Sequence, residues 1–556
     1  MSARTDKLGS KVVYQIYIRS FCDSDGDGIG DLRGITSKLD YLADLGVDVV
    51  WITPFFISPQ NDNGYDVADY RAIDPLFGTM EDFEELAREA RARGIELMLD
   101  MVFNHTSTYH EWFQRALTGD PHYIAYYKFV DAATDATAEN PGEPPTNWES
   151  KFGGNAWEYV PSLNKWYLHL FHVTQADLDW DNPEVRQQMA DVLHFWQEKG
   201  VSCFRFDVVN LISKPDGWPS DETDGRRFYT DGPHIHEYLQ EMVRLGDIDG
   251  HLTVGEMSST SLDNCVRYSN PDNHELAMAF NFHHLKVDYE GGDKWELKEP
   301  DINALRSLFQ IWQEEMTAGG GWNSLFWSNH DQPRPNSRYG DTEHYWYESS
   351  TLLPTCTHLM RGTPYIYQGE ELGQTINDYT SIDQYQDVES HNYYRIIQER
   401  GHSPEEAFQI VHARSRDDGR YPMAWDGSEN AGFTSGTPWL RIPDNHVYIN
   451  AESEMADPHS VRAYFQRLIA LRKELPVIQE GDVHFVEVAE DSPLISYERT
   501  LGDVRLLVQC NYSGTEQKGS SVEGGELLIG NYDEQLVADG CSVLRPYEAV
   551  TYIWQK

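Results

Sequence analysis

The chain has 556 residues, too many for one simple core, so two to four domains are expected. Its 91 acidic against 44 basic side chains give a formal net charge of −47, which repels nucleic acid and anionic membrane surfaces and excludes both as partners. No apolar run reaches the roughly 18 residues that a membrane span needs.

Short apolar runs alternate with amphipathic stretches. Val12–Ile18 reads as a strand, Gly34–Leu45 as a helix and Val47–Ile52 as a strand. Glu81–Arg93 reads as a helix and Ile95–Phe103 as a strand. The rhythm breaks over 106–175, rich in aromatics, Pro, Gly and Asn, which reads as an inserted subdomain. It resumes with helix Pro183–Lys199, strand Val201–Val208 and a short strand Leu252–Val254 that ends in Gly-Glu256. Ala277–Phe282, Ser324–Trp327 and Thr363–Tyr367 complete eight strand candidates. That is an α/β chain whose strand number closes a (β/α)8 TIM barrel, over 1–105 and 176–476. A polar, lid-like excursion occupies about 368–455. From Val477, alternating runs such as Val504–Val508 and Ala549–Ile553 predict a C-terminal β-sandwich over 477–556.

Met1–Lys11 is polar and carries no signal-peptide core. The six cysteines are scattered, with no CxxC pair, and read as free thiols. Both features predict a cytoplasmic protein.

Polar clusters recur just after the strand candidates, and in a parallel barrel those ends meet at one mouth. They are Tyr65-Asp66, Asp100 with Asn104 and His105, Arg205 with Asp207, Glu256, and Asn329-His330-Asp331. Arg205 and Asp207 are two residues apart, so a strand turns both to one face. Two buried charges there need each other or a site. Glycoside cleavage needs such an array: an ionised carboxylate at the sugar carbon and a second carboxyl that protonates the leaving oxygen. Arg205 is expected to keep Asp207 ionised, and neighbouring carboxylates to raise Glu256.

Asp-Met-Val-Phe-Asn-His105, Phe-Arg-Phe-Asp207, Gly-Glu256 and Asn-His-Asp331 resemble, in order, the four hallmark segments of the α-amylase family of glycoside hydrolases. The resemblance covers nearly the whole chain. It implies a retaining enzyme with Asp207 as nucleophile, Glu256 as general acid/base and Asp331 gripping the sugar. It also implies that His105, His330 and Arg205 line the pocket, floored by Tyr65 and Asp66. A retaining pair should stand about 5–5.5 Å apart.

Ser415 to Trp425 resembles the arginine segment of the oligo-1,6-glucosidase branch, which acts exo on short sugars; there Arg420 would pair with Asp66. Tyr421 and Ala424 depart from the usual Thr-Pro-Met-Gln-Trp pattern. Val208 resembles members that do not favour α-1,4 links. Phe280–Tyr289, with the Gly-Gly-Asp-Lys294 that follows, is similar to the same loop in members that hydrolyse trehalose 6-phosphate. In so acidic a chain, His283, His284, Lys286 and Lys294 form a basic island suited to a phosphate. The expected partner is therefore a small phosphorylated disaccharide. The alternatives are an oligo-1,6-glucosidase and a related α-glucosyl transferase or isomerase.

Asp23-Ser-Asp-Gly-Asp-Gly-Ile-Gly-Asp31 places oxygens at alternate positions, like the front of an EF-hand loop, although Gly34 stands where the closing Glu belongs. A structural Ca2+ on Asp23, Asp25, Asp27, the Ile29 carbonyl and Asp31 is expected, and no organic cofactor.

Overall fold

The computed structural model describes residues 8–555, so most of the Met1–Lys11 segment lies outside the described residues. The main sheet has eight strands: β1 Val13–Ile16, β2 Val49–Ile52, β3 Glu96–Met101, β4 Cys203–Phe206, β5 Leu252–Glu256, β6 Met278–Phe280, β7 Ser324–Leu325 and β8 Thr363–Tyr367. Their order, β6-β5-β4-β3-β2-β1-β8-β7, is that of a (β/α)8 barrel. Parallel pairings join β3 to β4, β4 to β5, β5 to β6, β1 to β8 and β7 to β8. β1, β2, β4 and β8 are buried at every residue, which is why they read as unbroken apolar runs.

All eight strand candidates are strands; six have shorter ends than expected, β8 keeps its expected bounds, and β5 runs on past Val254 to Glu256. The expected helix Gly34–Leu45 is two helices, Leu32–Ser37 and Leu39–Leu45. Asp31 caps the first from the Gly34 amide, which starts it early. The Thr36 and Ser37 hydroxyls bond back to the Leu32 and Gly34 carbonyls, a contact that bends helices, and the break follows at Lys38.

The chain divides into two compact units. One holds Trp51–Arg88 and Glu96–Asn281, including β3 to β6. Its helix Pro183–Glu198 starts at an Asn182 cap with Pro183 in the first turn and buries Val185, Met189, Leu193 and Trp196. After β3 it carries a small antiparallel sheet of Phe129–Asp131, Lys165–Leu168 and Trp157–Val160. Trp148, Trp157 and Leu168 lie in the aromatic core of this insertion. The other unit holds β1, β7, β8 and everything from Phe282 onward. Its excursion after β8 is partly helical, as expected, with Val388–Glu399 and Pro404–Arg414 as the longest helices there. It ends in a five-stranded and a three-stranded antiparallel sheet, the expected C-terminal β domain.

Candidate active site

In the unit that carries β3 to β6, strand register assembles a charged cluster. Arg205 on β4 stands opposite Asp100 on β3 and Val254 on β5. The Asp207 amide continues the ladder by donating to the Met101 carbonyl, so its side chain leaves the sheet one residue past β4. Arg205 is 1% exposed and binds three carboxylates at once. Its Nη1 lies 2.5 Å from Asp100 Oδ1 and 2.8 Å from Asp207 Oδ1, and its Nη2 donates to Glu256 Oε2. Asp100 also accepts from the Trp51 indole at 3.1 Å and the Tyr65 hydroxyl at 2.9 Å. The planar guanidinium suits this task, because its fork presents several donors in fixed directions.

Burial pushes the Asp207 carboxyl up to about 6, and the charge of Asp100 adds to it; Arg205 and His105 act in the opposite direction without cancelling it. Arg205 therefore favours the ionised form, as expected, but burial outweighs it. Glu256 shares this guanidinium with the carboxylates of Asp100 and Asp207.

Asp66 is fully buried and accepts from Ser58 Oγ at 2.7 Å and from the Asn61 and Asp62 amides. Burial raises its carboxyl in spite of these bonds. His105 follows β3; its Nε2 lies 3.1 Å from the Tyr65 carbonyl and its ring packs on Phe171. Val208, next to the nucleophile candidate, holds φ 36°, a left-handed conformation that β-branched residues rarely adopt.

In the other unit, Asp331 is flanked by cations. Arg420 Nη2 lies 2.5 Å, Arg416 Nη1 3.6 Å and His330 Nε2 3.4 Å from its carboxylate. Burial alone would raise this carboxyl; His330, Arg420 and Arg416 hold it well below the usual carboxylate range. His330 is fixed by Gln15 at 2.9 Å and stacks on Tyr17. Arg420 bonds the His330 carbonyl and Asp331. Arg416 turns to Asp387 at 2.6 Å and lies 3.6 Å from Glu389.

The expected basic island is smaller than the sequence implied. His284 is 7% exposed, bonds the Phe326 carbonyl and is pushed down to about 4 by burial, so it is neutral at pH 7. Burial also lowers His283, and the nearby Lys286 lowers it further. Lys294 pairs with Glu389 at 2.7 Å and lies over the Trp295 ring. Lys286 is exposed.

Of the five expected calcium ligands, Asp23, Asp25 and Asp27 bring one carboxylate oxygen each within 4.8 Å of one another. Asp31 instead accepts from the Gly34 and Ser24 amides, and the Ile29 amide donates to Asp27. Asp27 is raised by burial and then by Asp25, Asp23 and Asp31, a mutual repulsion that a cation would relieve.

Sequence reasoning placed Asp100 among the strand-end clusters but gave it no role, and left out Trp51, Gln15, Asp387 and Glu389. A role for Asp100 was within reach, since a charge opposite Arg205 on the neighbouring strand has the same burial problem. Asp387 and Glu389 lie in the excursion, where no strand period points to them.

A model of the α-amylase catalytic domain matches residues 15–481. The trehalose-6-phosphate hydrolase of Bacillus subtilis is 49% identical over 552 residues, covering 97% of each chain. The oligo-1,6-glucosidase of Parageobacillus thermoglucosidasius is 44% identical over 559 residues, covering 97% of this chain and 98% of its own. The crystal structure of Bacillus licheniformis trehalose-6-phosphate hydrolase is similar with a TM-score of 0.94 at 48% identity, over 99% of both chains.

Proposed function

Because this chain belongs to the α-amylase family of glycoside hydrolases, we propose that it cleaves trehalose 6-phosphate to glucose and glucose 6-phosphate. The observation that carries the chemistry is Arg205, whose one guanidinium holds both Asp207 and Glu256. In this reading Asp207 attacks the anomeric carbon of the unphosphorylated glucose. Glu256 gives its proton to the bridging oxygen, and glucose 6-phosphate leaves. Glu256 then takes a proton from water, which attacks the glucosyl–Asp207 ester and releases glucose with retained configuration. Asp331, kept ionised by Arg420 and Arg416, grips the ring hydroxyls and favours the distorted sugar. The family resemblance assigns Tyr65, Asp66 and His105, and separately His330, to the lining of the sugar pocket. Lys286, which is exposed, meets the phosphate in this reading, with Lys294 available once Glu389 is displaced.

An oligo-1,6-glucosidase is the second reading. It is favoured by the neutral His284 and by the Lys294–Glu389 pair, which make the leaving-group loop less cationic than a phosphate site needs. A related α-glucosyl transferase or isomerase would share the same carboxylates.

The likeness to the B. subtilis enzyme over the whole chain supports the phosphosugar. A cytoplasmic location is supported by cysteines that are thiols, not disulfides, and by the lack, among the described residues, of a helix long and apolar enough to cross a membrane. A structural Ca2+ fits Asp23, Asp25 and Asp27, with Ile29 and Asp31 completing the shell after a turn of the Asp31 carboxylate. It supplies loop stability and no chemical step.

Proton NMR during turnover tests the mechanism. Glucose must appear first as the α-anomer, and Asp207→Ala must release none. β-Glucose as first product, or glucose release surviving the substitution, contradicts it.

A further inference from the structure

Lys214 lies seven residues past Asp207, and its side chain is 0% exposed. A buried ammonium is costly unless paired and fully bonded. Its Nζ sits 2.6 Å from Asp177 Oδ1 and 2.8 Å from Asn104 Oδ1. Asp177 stands opposite His105 in the antiparallel pair of Gln175–Asp177 with His105–Ser107, so strand register places it beside Asn104, the residue before His105.

The hydrogen-bond roles then follow in sequence. An ammonium only donates, so Asn104 must offer it the amide oxygen. Asn104 Nδ2 is left to donate, to Asp177 Oδ1 at 3.0 Å and to His105 Nδ1 at 3.2 Å. His105 Nδ1 accepts, so the ring proton sits on Nε2, which faces the Tyr65 carbonyl at 3.1 Å. The neighbouring Gln175 amide also lies 3.2 Å from that nitrogen, but it donates to Asp62 and the Tyr65 carbonyl. The Tyr65 hydroxyl donates to Asp100, Arg205 donates to Asp100, and the same guanidinium holds Asp207. Two hydrogen-bonded segments, joined through Tyr65 by its carbonyl and its hydroxyl, thus link Lys214 to the nucleophile candidate.

We propose that Lys214 is a positioning residue of the sugar pocket: a built-in cation that fixes the Asn104 amide and, through it, the Nε2–H tautomer and orientation of His105. The proposal rests on the reading of His105 as a wall of that pocket. The competing role is purely structural, with Lys214 only neutralising Asp177.

A double-mutant cycle separates the two, using Lys214→Met and His105→Asn with a neutral aryl α-glucoside, so the phosphate reading is not involved. Positioning predicts that Lys214→Met lowers kcat/KM by about 10- to 100-fold in the native background, as second-layer supports do, and by less than about 3-fold beside His105→Asn. Equal losses in both backgrounds overturn it. Asn104→Asp, which keeps the shape and Lys214 but removes the Nδ2 donor, covers the case where Lys214→Met does not fold. Ring 15N shifts of His105, assigned against His105→Asn, should show Nε2–H in the native protein and a switch to Nδ1–H in Asn104→Asp. An unchanged Nε2–H ring overturns the proposal. This readout needs no turnover, so it stands even if the enzyme is inactive on every α-glucoside tried.

Discussion

Arg205 and Asp100 face each other in register across neighbouring strands, and the guanidinium reaches Asp100 at 2.5 Å while still holding Asp207 at 2.8 Å. One cation therefore serves three carboxylates, Glu256 being the third. The site is short of positive charge at its centre.

Arg205→Lys keeps the charge but loses the fork, so one ammonium cannot hold three carboxylates. Breaking such a buried pair costs roughly 3 kcal/mol or more. The expected loss in kcat/KM is about two orders of magnitude. Steady-state kinetics check it; a loss under about 5-fold, well below that cost, means that the bridging geometry is dispensable.

On the proposed mechanism Asp207 must be ionised to attack. Burial and Asp100 raise the Asp207 carboxyl to about 6, so the active form prevails above that pH and disappears as pH falls through it. The pH profile of kcat/KM should bend downward near pH 6. A limb near the ordinary Asp value of about 4 contradicts the balance in which burial outweighs Arg205.

Glu370, which accepts from Ser328, is pushed up to about 8 by burial. A carboxyl raised on folding stabilises the fold fully below its unfolded value, and that stability is lost as pH rises through the folded value. Between pH 5 and 9 the native protein should lose melting temperature. Glu370→Gln, which can still accept from Ser328, should flatten that slope and melt higher than the native protein at pH 9. Parallel slopes for the two proteins count against a buried protonated Glu370.

A net charge of −47 repels itself. The Debye length falls from about 10 Å at 0.1 M salt to about 3 Å at 1 M. Melting temperature should therefore rise steadily with KCl over that range. A flat response shows that the surface charges are already compensated.

Removal of calcium with a chelator should lower the melting temperature and leave kcat/KM within about 2-fold, since a structural ion supplies no chemical step. Asp25→Ala should abolish the chelator's effect. A chelator effect that persists in Asp25→Ala places the ion elsewhere.

Much of this was legible in the sequence. The strands are buried on both faces, so they appear as apolar runs, and the charges at their ends stand out against them. Arg205, Asp207 and Glu256 were found this way, and register explains why they meet. Pairing partners were harder. Arg420 meets Asp331 and Lys294 meets Glu389, because long side chains choose partners by tertiary placement. The protonation of His284 was also hidden, since its neutrality comes from packing against Phe309, Phe326 and Trp327. The helix break at Lys38 depends on hydroxyl-to-carbonyl bonds that an apolar period does not register.

The most direct test of the central claim is kcat/KM for trehalose 6-phosphate, trehalose and isomaltose, measured side by side on one preparation. The account predicts that trehalose 6-phosphate is cleaved at least about 10-fold more efficiently than either neutral sugar, the worth of one charge-assisted contact. Isomaltose cleaved as well as or better than the phosphosugar would contradict it.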